Sequence, residues 1–93
     1  MTYEIIFSDK ALKQIKKLEK NIQERIIKVL ERIRIRPETF VTKLIGDPGY
    51  RLRIGEYRVI IGIDKEKLLI LVIKIGQKSR TYRKSNRAVA SRF

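Results

Sequence analysis

The length of 93 residues favours a single domain that covers residues 1–93. The formal net charge of +13 favours a polyanionic partner such as nucleic acid or the ribosome. It has no cysteine and no histidine, which excludes disulfides, thiolate metal sites and acid–base chemistry by imidazole. No apolar run approaches the roughly 20 residues that span a bilayer, and the N-terminus lacks a signal-peptide core, so we expect a cytoplasmic protein without a membrane partner.

The positive charge is concentrated in the C-terminal half. Residues 1–49 carry a net charge of +4, whereas residues 50–93 carry +9. A generic basic protein that its charge keeps soluble is the simpler alternative. The asymmetry leads us to expect the anion-binding surface in the second half of the chain.

The first part of the chain is predicted to form a strand and a helical hairpin. Residues 3–7 are rich in β-formers, and Ser8 or Asp9 is placed to cap the helix that follows. Asn21 interrupts or caps a second helix, which is predicted to run up to Pro37. The apolar positions with helical spacing are Leu12, Ile15, Leu18, Ile22, Ile26, Val29, Leu30 and Ile33. We assign this stripe to the core, with its outer rim as an alternative partner surface.

The second part of the chain is predicted to form three strands after a loop. The strands are assigned to residues 50–54, 57–63 and 68–73, with Gly55-Glu56 as a type II′ turn. The third strand is continuously apolar, which indicates burial on both faces, and Gly76 is predicted to end the sheet. Residues 80–93 form a basic tail that either ends in a short helix or stays partly disordered.

These elements predict an α+β fold in the order β-α-α-β-β-β. The helical hairpin is expected to pack on one face of a mostly antiparallel, four-stranded sheet. The other face is expected to be open or partly covered by the tail.

The predicted hairpin places three arginines on one face of the sheet. A two-residue turn pairs Arg53 with Arg58, and alternation adds Arg51 to the same face. Like charges directly across a sheet destabilise it, and a bound phosphate would relieve that cost through bidentate guanidinium contacts. The alternative is a solvated face whose long side chains extend into water.

A second basic segment follows the last strand and carries one aromatic residue. Its candidate residues are Lys78, Arg80, Tyr82, Arg83 and Lys84. A ring that stacks on an unpaired base, with cations on the backbone, suits RNA. Cleavage would then rely on arginines to stabilise the pentavalent phosphate, on Tyr82 or Lys78 for a proton, and on the RNA's own 2′-hydroxyl as nucleophile. We expect no metal site and no cofactor.

Several sequence blocks together resemble the RelE/ParE toxin superfamily over nearly the whole chain. They are the segment Ser-Asp-Lys-Ala-Leu-Lys that begins the first helix, Lys43-Leu44-Ile45-Gly46, the block YRLRIGEYRVII that begins at Tyr50, Ile75-Gly76-Gln77-Lys78, and Tyr82-Arg83. The resemblance implies a type II toxin–antitoxin toxin. RelE-like members cleave mRNA in the ribosomal A site, whereas ParE-like members inhibit DNA gyrase.

The resemblance also implies roles for individual residues. Arg51 and Arg53 stand where RelE-like enzymes carry two basic residues, often lysines, and arginine is a poor general base. Arg58 matches the arginine of the third strand, and Lys78 matches a basic residue after the glycine. Tyr82 matches the tyrosine that stacks on the cut nucleotide, although the spacing from the glycine is shorter here. Arg80, Arg83 and Lys84 are assigned to RNA binding.

The partners implied by the resemblance are an acidic, RelB-like antitoxin, the ribosome and mRNA, with operator DNA bound only through the toxin–antitoxin complex. An acidic antitoxin that folds on binding suits a chain of this charge. The leading hypothesis is therefore a ribosome-dependent, metal-independent endoribonuclease. A gyrase inhibitor and a non-catalytic RNA- or ribosome-binding module remain as alternatives.

Overall fold

The computed structural model describes residues 2–77, which form two helices on one face of a five-stranded sheet. The strands are β1 (Glu4–Phe7), β2 (Thr42–Lys43), β3 (Tyr50–Ile54), β4 (Tyr57–Asp64) and β5 (Leu69–Gln77). The helices are α1 (Asp9–Lys16) and α2 (Lys20–Arg32), and a 3-10 turn covers Pro37–Thr39. The predicted α+β class and element order are confirmed, but the sheet has a fifth, two-residue strand that the sequence did not reveal.

The helix ends follow local capping chemistry. Ser8 caps α1 and accepts a hydrogen bond from the backbone N–H of Ala11 at 3.1 Å. Asn21 neither interrupts nor caps α2, because that helix begins one residue earlier after Glu19. The helix also ends at Arg32 rather than just before Pro37, four residues before Arg36, which is the residue that Pro37 excludes from the helical region.

The sheet order is β1-β5-β4-β3-β2, so β4 lies at the centre. The first strand pairs with β5 in parallel, and every other pair is antiparallel. Both predicted limits of the third long strand were wrong. It begins at Leu69 and passes through Gly76 to Gln77, and it is not buried on both faces, because Leu71 is 42% exposed.

The core lies between the sheet and the two helices. Its helical members are not the whole predicted stripe, because Leu12 is 42% exposed and Ala11 fills the core beside Ile15 instead. The buried side chains that form this layer are Tyr3, Ala11, Ile15, Ile26, Leu30, Ile33, Leu52, Ile54, Val59, Ile61, Ile70, Val72 and Ile75. Within residues 2–77, no helix is long and apolar enough to cross a membrane.

Candidate functional site

The β3–β4 hairpin has the register that the sequence predicted. Arg53 pairs with Arg58, and Arg51 pairs with Ile60. The turn residue Gly55 has a φ of +58° and Glu56 has no positive φ, as a type II′ turn requires. Because Leu52 and the other inward residues lie in the core, the three arginines lie together on the opposite face, which we call the arginine face.

The arginine face has an unfavourable electrostatic environment. Within residues 2–77, no carboxylate forms a salt bridge with Arg51, Arg53 or Arg58. Partial burial, followed by repulsion from Arg51 and then Arg53, lowers the pKa of Arg58 below its ordinary value. Guanidinium stays charged at physiological pH despite such a shift, so the cluster retains its positive potential. A phosphate group would neutralise it.

A fourth cation, Lys74, joins the arginine face from β5. It pairs with Ile60 of β4, which in turn pairs with Arg51 of β3. Arg51, Ile60 and Lys74 therefore lie side by side across three strands and form one row of the sheet. In the next row, Gly76 lies opposite Arg58 and has no side chain to fill the space beside that guanidinium. The face therefore has a floor of a buried isoleucine and a glycine, with cations on several sides.

Lys74 lies in a partly buried, positively charged environment. Burial lowers the pKa of Lys74, and the positive charge of Lys10 on α1 lowers it further. The carboxylate of Asp47, in the loop before β3, acts in the opposite direction but does not reverse the shift. Unlike the pKa of guanidinium, the pKa of a lysine ammonium shifts readily on burial.

A β-bulge turns Lys74 outward. Ile60 pairs with Lys74 whereas Ile61 pairs with Val72, so Ile73 is an extra residue in β5. Ser8, the N-cap of α1, and Gln14 within that helix satisfy backbone groups at the bulge. The Ser8 hydroxyl donates a hydrogen bond to the Ile73 carbonyl oxygen at 2.6 Å, and the Ile75 N–H donates one to the Gln14 side-chain oxygen at 2.7 Å.

Sequence reasoning missed Lys74, although a signal for it existed. Strict alternation from Ile70 and Val72 would direct Lys74 into the core, where an unpaired lysine is very costly. Ile75, which alternation would place outside, is buried. A lysine at an inward position of an apolar strand is thus evidence for a bulge.

The remaining predicted site residues lie outside the part of the chain that the structure describes. They are Lys78, Arg80, Tyr82, Arg83 and Lys84. For metals, the described part contains no group of three or more histidines, cysteines or carboxylates that could hold an ion.

A separate apolar groove lies between β1 and α2. It has a volume of about 300 Å³. It is lined by Ile5, Phe7, Ile27, Leu30, Glu31 and Arg34. Ile27, an apolar residue of α2 outside the predicted helical stripe, is 39% exposed and is open to a partner.

Comparisons with known proteins identify the family. Residues 5–82 match the family of the ParE toxin of type II toxin–antitoxin systems, parDE. The mRNA interferase toxin RelE of Escherichia coli K12 is 31% identical over 84 residues, which cover 87% of this chain and 88% of the relative.

Solved toxin structures have the same fold. The toxin in the intact E. coli RelBE complex is 32% identical, with a TM-score of 0.69 over 81% of this chain and 95% of that one. The archaeal RelE–RelB complex from Pyrococcus horikoshii contains a chain that is 29% identical, with a TM-score of 0.73 over 86% of this chain and 99% of that one. The protein therefore belongs to the RelE/ParE superfamily of type II toxin–antitoxin toxins.

Proposed function

We propose that this protein is the RelE-like toxin of a type II toxin–antitoxin pair, an endoribonuclease that cuts mRNA in the ribosomal A site. The observation that carries this proposal is the clustering of Arg51, Arg53 and Arg58 on one face, with no salt-bridged carboxylate among residues 2–77. The identity to a relative named as an mRNA interferase supports it.

The chemistry suits a site that is rich in cations. The 2′-hydroxyl of the RNA attacks the neighbouring phosphorus, and the arginines neutralise the charge that gathers on the pentavalent phosphate. Arg51 and Arg53 bind the phosphate through their guanidinium forks, and Arg58 contacts it from β4. No metal or cofactor is needed for this reaction. The ribosome contributes by holding the mRNA in a reactive geometry, which lowers the barrier through positioning.

The C-terminal segment completes the site in this proposal. Tyr82 stacks on the nucleotide at the cut, and Lys78 contacts the phosphate. Arg80, Arg83 and Lys84 bind the RNA backbone on either side. An aromatic ring among cations is the usual means of holding single-stranded RNA.

We further propose that the whole chain is one toxin domain that acts in the cytoplasm. Its cognate partner is an acidic, RelB-like antitoxin, as the named complexes of the relatives suggest. The groove between β1 and α2 offers a largely apolar surface, lined also by Glu31 and Arg34, on which such a partner can fold. Operator DNA is bound only by the toxin–antitoxin complex.

Primer extension on a defined mRNA, with and without purified ribosomes, tests the proposal. We expect cuts within A-site codons only when ribosomes are present, and their loss in Arg58→Ala and Tyr82→Ala. Lys67→Ala, which removes an exposed lysine from the β4–β5 turn, is the matched control and should cut normally.

The family match carries the name of ParE, so gyrase inhibition is the second candidate function. A supercoiling assay with purified DNA gyrase separates the two. Inhibited supercoiling together with uncut mRNA would replace the proposed function. Tight ribosome binding without cleavage, from the folded and antitoxin-free protein, would leave a non-catalytic binding module.

A further inference from the structure

The proposed reaction needs a group that accepts the proton of the 2′-hydroxyl. The chain has no histidine, and the three arginines of the arginine face hold their protons too tightly to serve. The acceptor must therefore be another side chain that can lack a proton near physiological pH.

The described carboxylates near this face are poorly placed for that role. Glu56 lies in the β3–β4 turn, four residues and roughly 13 Å along the chain from Ile60, the partner of Lys74. Asp64 is six residues from Arg58 along β4, a distance of roughly 20 Å, and its Oδ1 already accepts two turn N–H groups. Glu4 lies in the same distant row, because it pairs with Leu69, the partner of Asp64. Oδ1 of Asp47 accepts a hydrogen bond from the Gly49 N–H at 2.8 Å and holds its loop.

Lys74 has the required position. It lies on the diagonal from Arg58, with a Cα separation of roughly 7–8 Å that long side chains bridge easily. Arg51 lies two strands away in the same row, roughly 10 Å across the sheet. A phosphodiester resting over Ile60 and Gly76 is within reach of both arginines and of the Lys74 amine.

The surroundings of Lys74 favour its neutral form. Partial burial and then the positive charge of Lys10 lower the pKa of Lys74, and the carboxylate of Asp47 raises it by less. The resulting pKa lies below the ordinary 10.5. A lowered pKa brings an amine nearer to the working pH, which is what a general base requires.

Resting on the function proposed above, we infer that Lys74 is a catalytic residue, the general base that takes the 2′-hydroxyl proton during mRNA cleavage. As the proton moves to Nζ, the 2′ oxygen forms a bond to phosphorus and the bond from phosphorus to the 5′ oxygen breaks. The departing 5′ oxygen takes a proton from water, and Lys74 returns its own to solvent. The products are a 2′,3′-cyclic phosphate and a 5′-hydroxyl.

The test is single-turnover cleavage of mRNA on programmed ribosomes at saturating toxin, measured across a range of pH. The variants are Lys74→Gln and Lys74→Arg, with Lys67→Arg as the control. Arginine keeps the charge but cannot act as a base. We therefore expect both Lys74 variants to cut roughly 10²–10⁴-fold more slowly and to lose the rise in rate with pH. Lys74→Arg should still bind the programmed ribosome.

The outcomes are distinguishable. A Lys74→Arg enzyme that cuts within a few-fold of wild type would overturn the inference, because a phosphate-binding or structural role would survive that change. A wild-type protein that cuts nothing would overturn the proposed function and this inference together. Circular dichroism checks each fold, and if Lys74→Gln is misfolded the Lys74→Arg result decides alone.

Discussion

The side-chain oxygen of Gln14 in α1 accepts a hydrogen bond of 2.7 Å from the backbone N–H of Ile75 in β5. The two residues are 61 positions apart in the sequence. This bond and the one from Ser8 to Ile73 hold the bulge that turns Lys74 onto the arginine face. The first helix and its N-cap therefore shape the candidate site through their bonds to the backbone of β5.

Gln14→Ala is expected to weaken the bulge. The unpaired Ile75 N–H in a partly buried position should lower the free energy of unfolding by roughly 1–3 kcal/mol. Gln14→Glu keeps an acceptor oxygen and should lose less. Urea denaturation measures the stability, and amide hydrogen exchange at Ile75 reports the bond directly. Lys13→Ala, on the exposed side of α1, is the control, and unchanged exchange in Gln14→Ala would show that the bond does not hold the strand.

The pH dependence of cleavage is expected to move in opposite directions in two single variants. Lys10 lowers the pKa of Lys74, so Lys10→Gln should raise that pKa and shift the rise in rate to higher pH. Asp47 raises it, so Asp47→Asn should shift the rise to lower pH, while asparagine still accepts the Gly49 N–H bond. Single-turnover rates across pH give both shifts. Shifts of the same sign in the two variants would contradict Lys74 as the titrating group.

Arg53→Gln is expected to stabilise the free protein while it impairs cleavage. Arg53 and Arg58 are direct cross-strand partners, so removing one cation should raise the free energy of unfolding by a few tenths to about 1 kcal/mol. The gain should shrink in about 1 M salt, where screening is strong. Thermal and urea unfolding at two salt concentrations measure it. Lys28→Gln removes an exposed cation from α2 and controls for net charge. An equal rise in the free energy of unfolding in Lys28→Gln would show that Arg53 and Arg58 do not repel each other more than other surface cations do.

Gly55→Ala is expected to destabilise the hairpin that sets the arginine register. Its φ of +58° costs an alanine roughly 1–2 kcal/mol, and an added Cβ would lie 3.0 Å from a guanidinium nitrogen of Arg25. Gly46, with a φ of +73° and open space around it, is the matched control for backbone strain alone. Urea denaturation should show the larger loss for Gly55→Ala. Adding Arg25→Ala should bring the two losses together, and a persistent difference would place the extra cost elsewhere.

The register of the arginines was predictable because the length of a two-residue turn fixes the pairing of the two strands that it joins. Once Gly55 and Glu56 are the turn, the pairing of Arg53 with Arg58 follows from counting along two strands. The two-residue strand Thr42–Lys43 escaped prediction for the opposite reason. So short a segment has no periodicity of its own and becomes a strand only by pairing with β3.

The sequence alone determined the net charge, the cationic β3–β4 hairpin and the family resemblance. Each of these depends on composition or on residues that are close together along the chain. The placement of Lys74 was decided by the tertiary structure. Local alternation directs it into the core, and the bonds from Ser8 and Gln14, across 65 and 61 positions, stabilise the bulge that turns it outward. A bulge exposes backbone groups that must find partners, and those partners are known only once the helix is packed on the sheet.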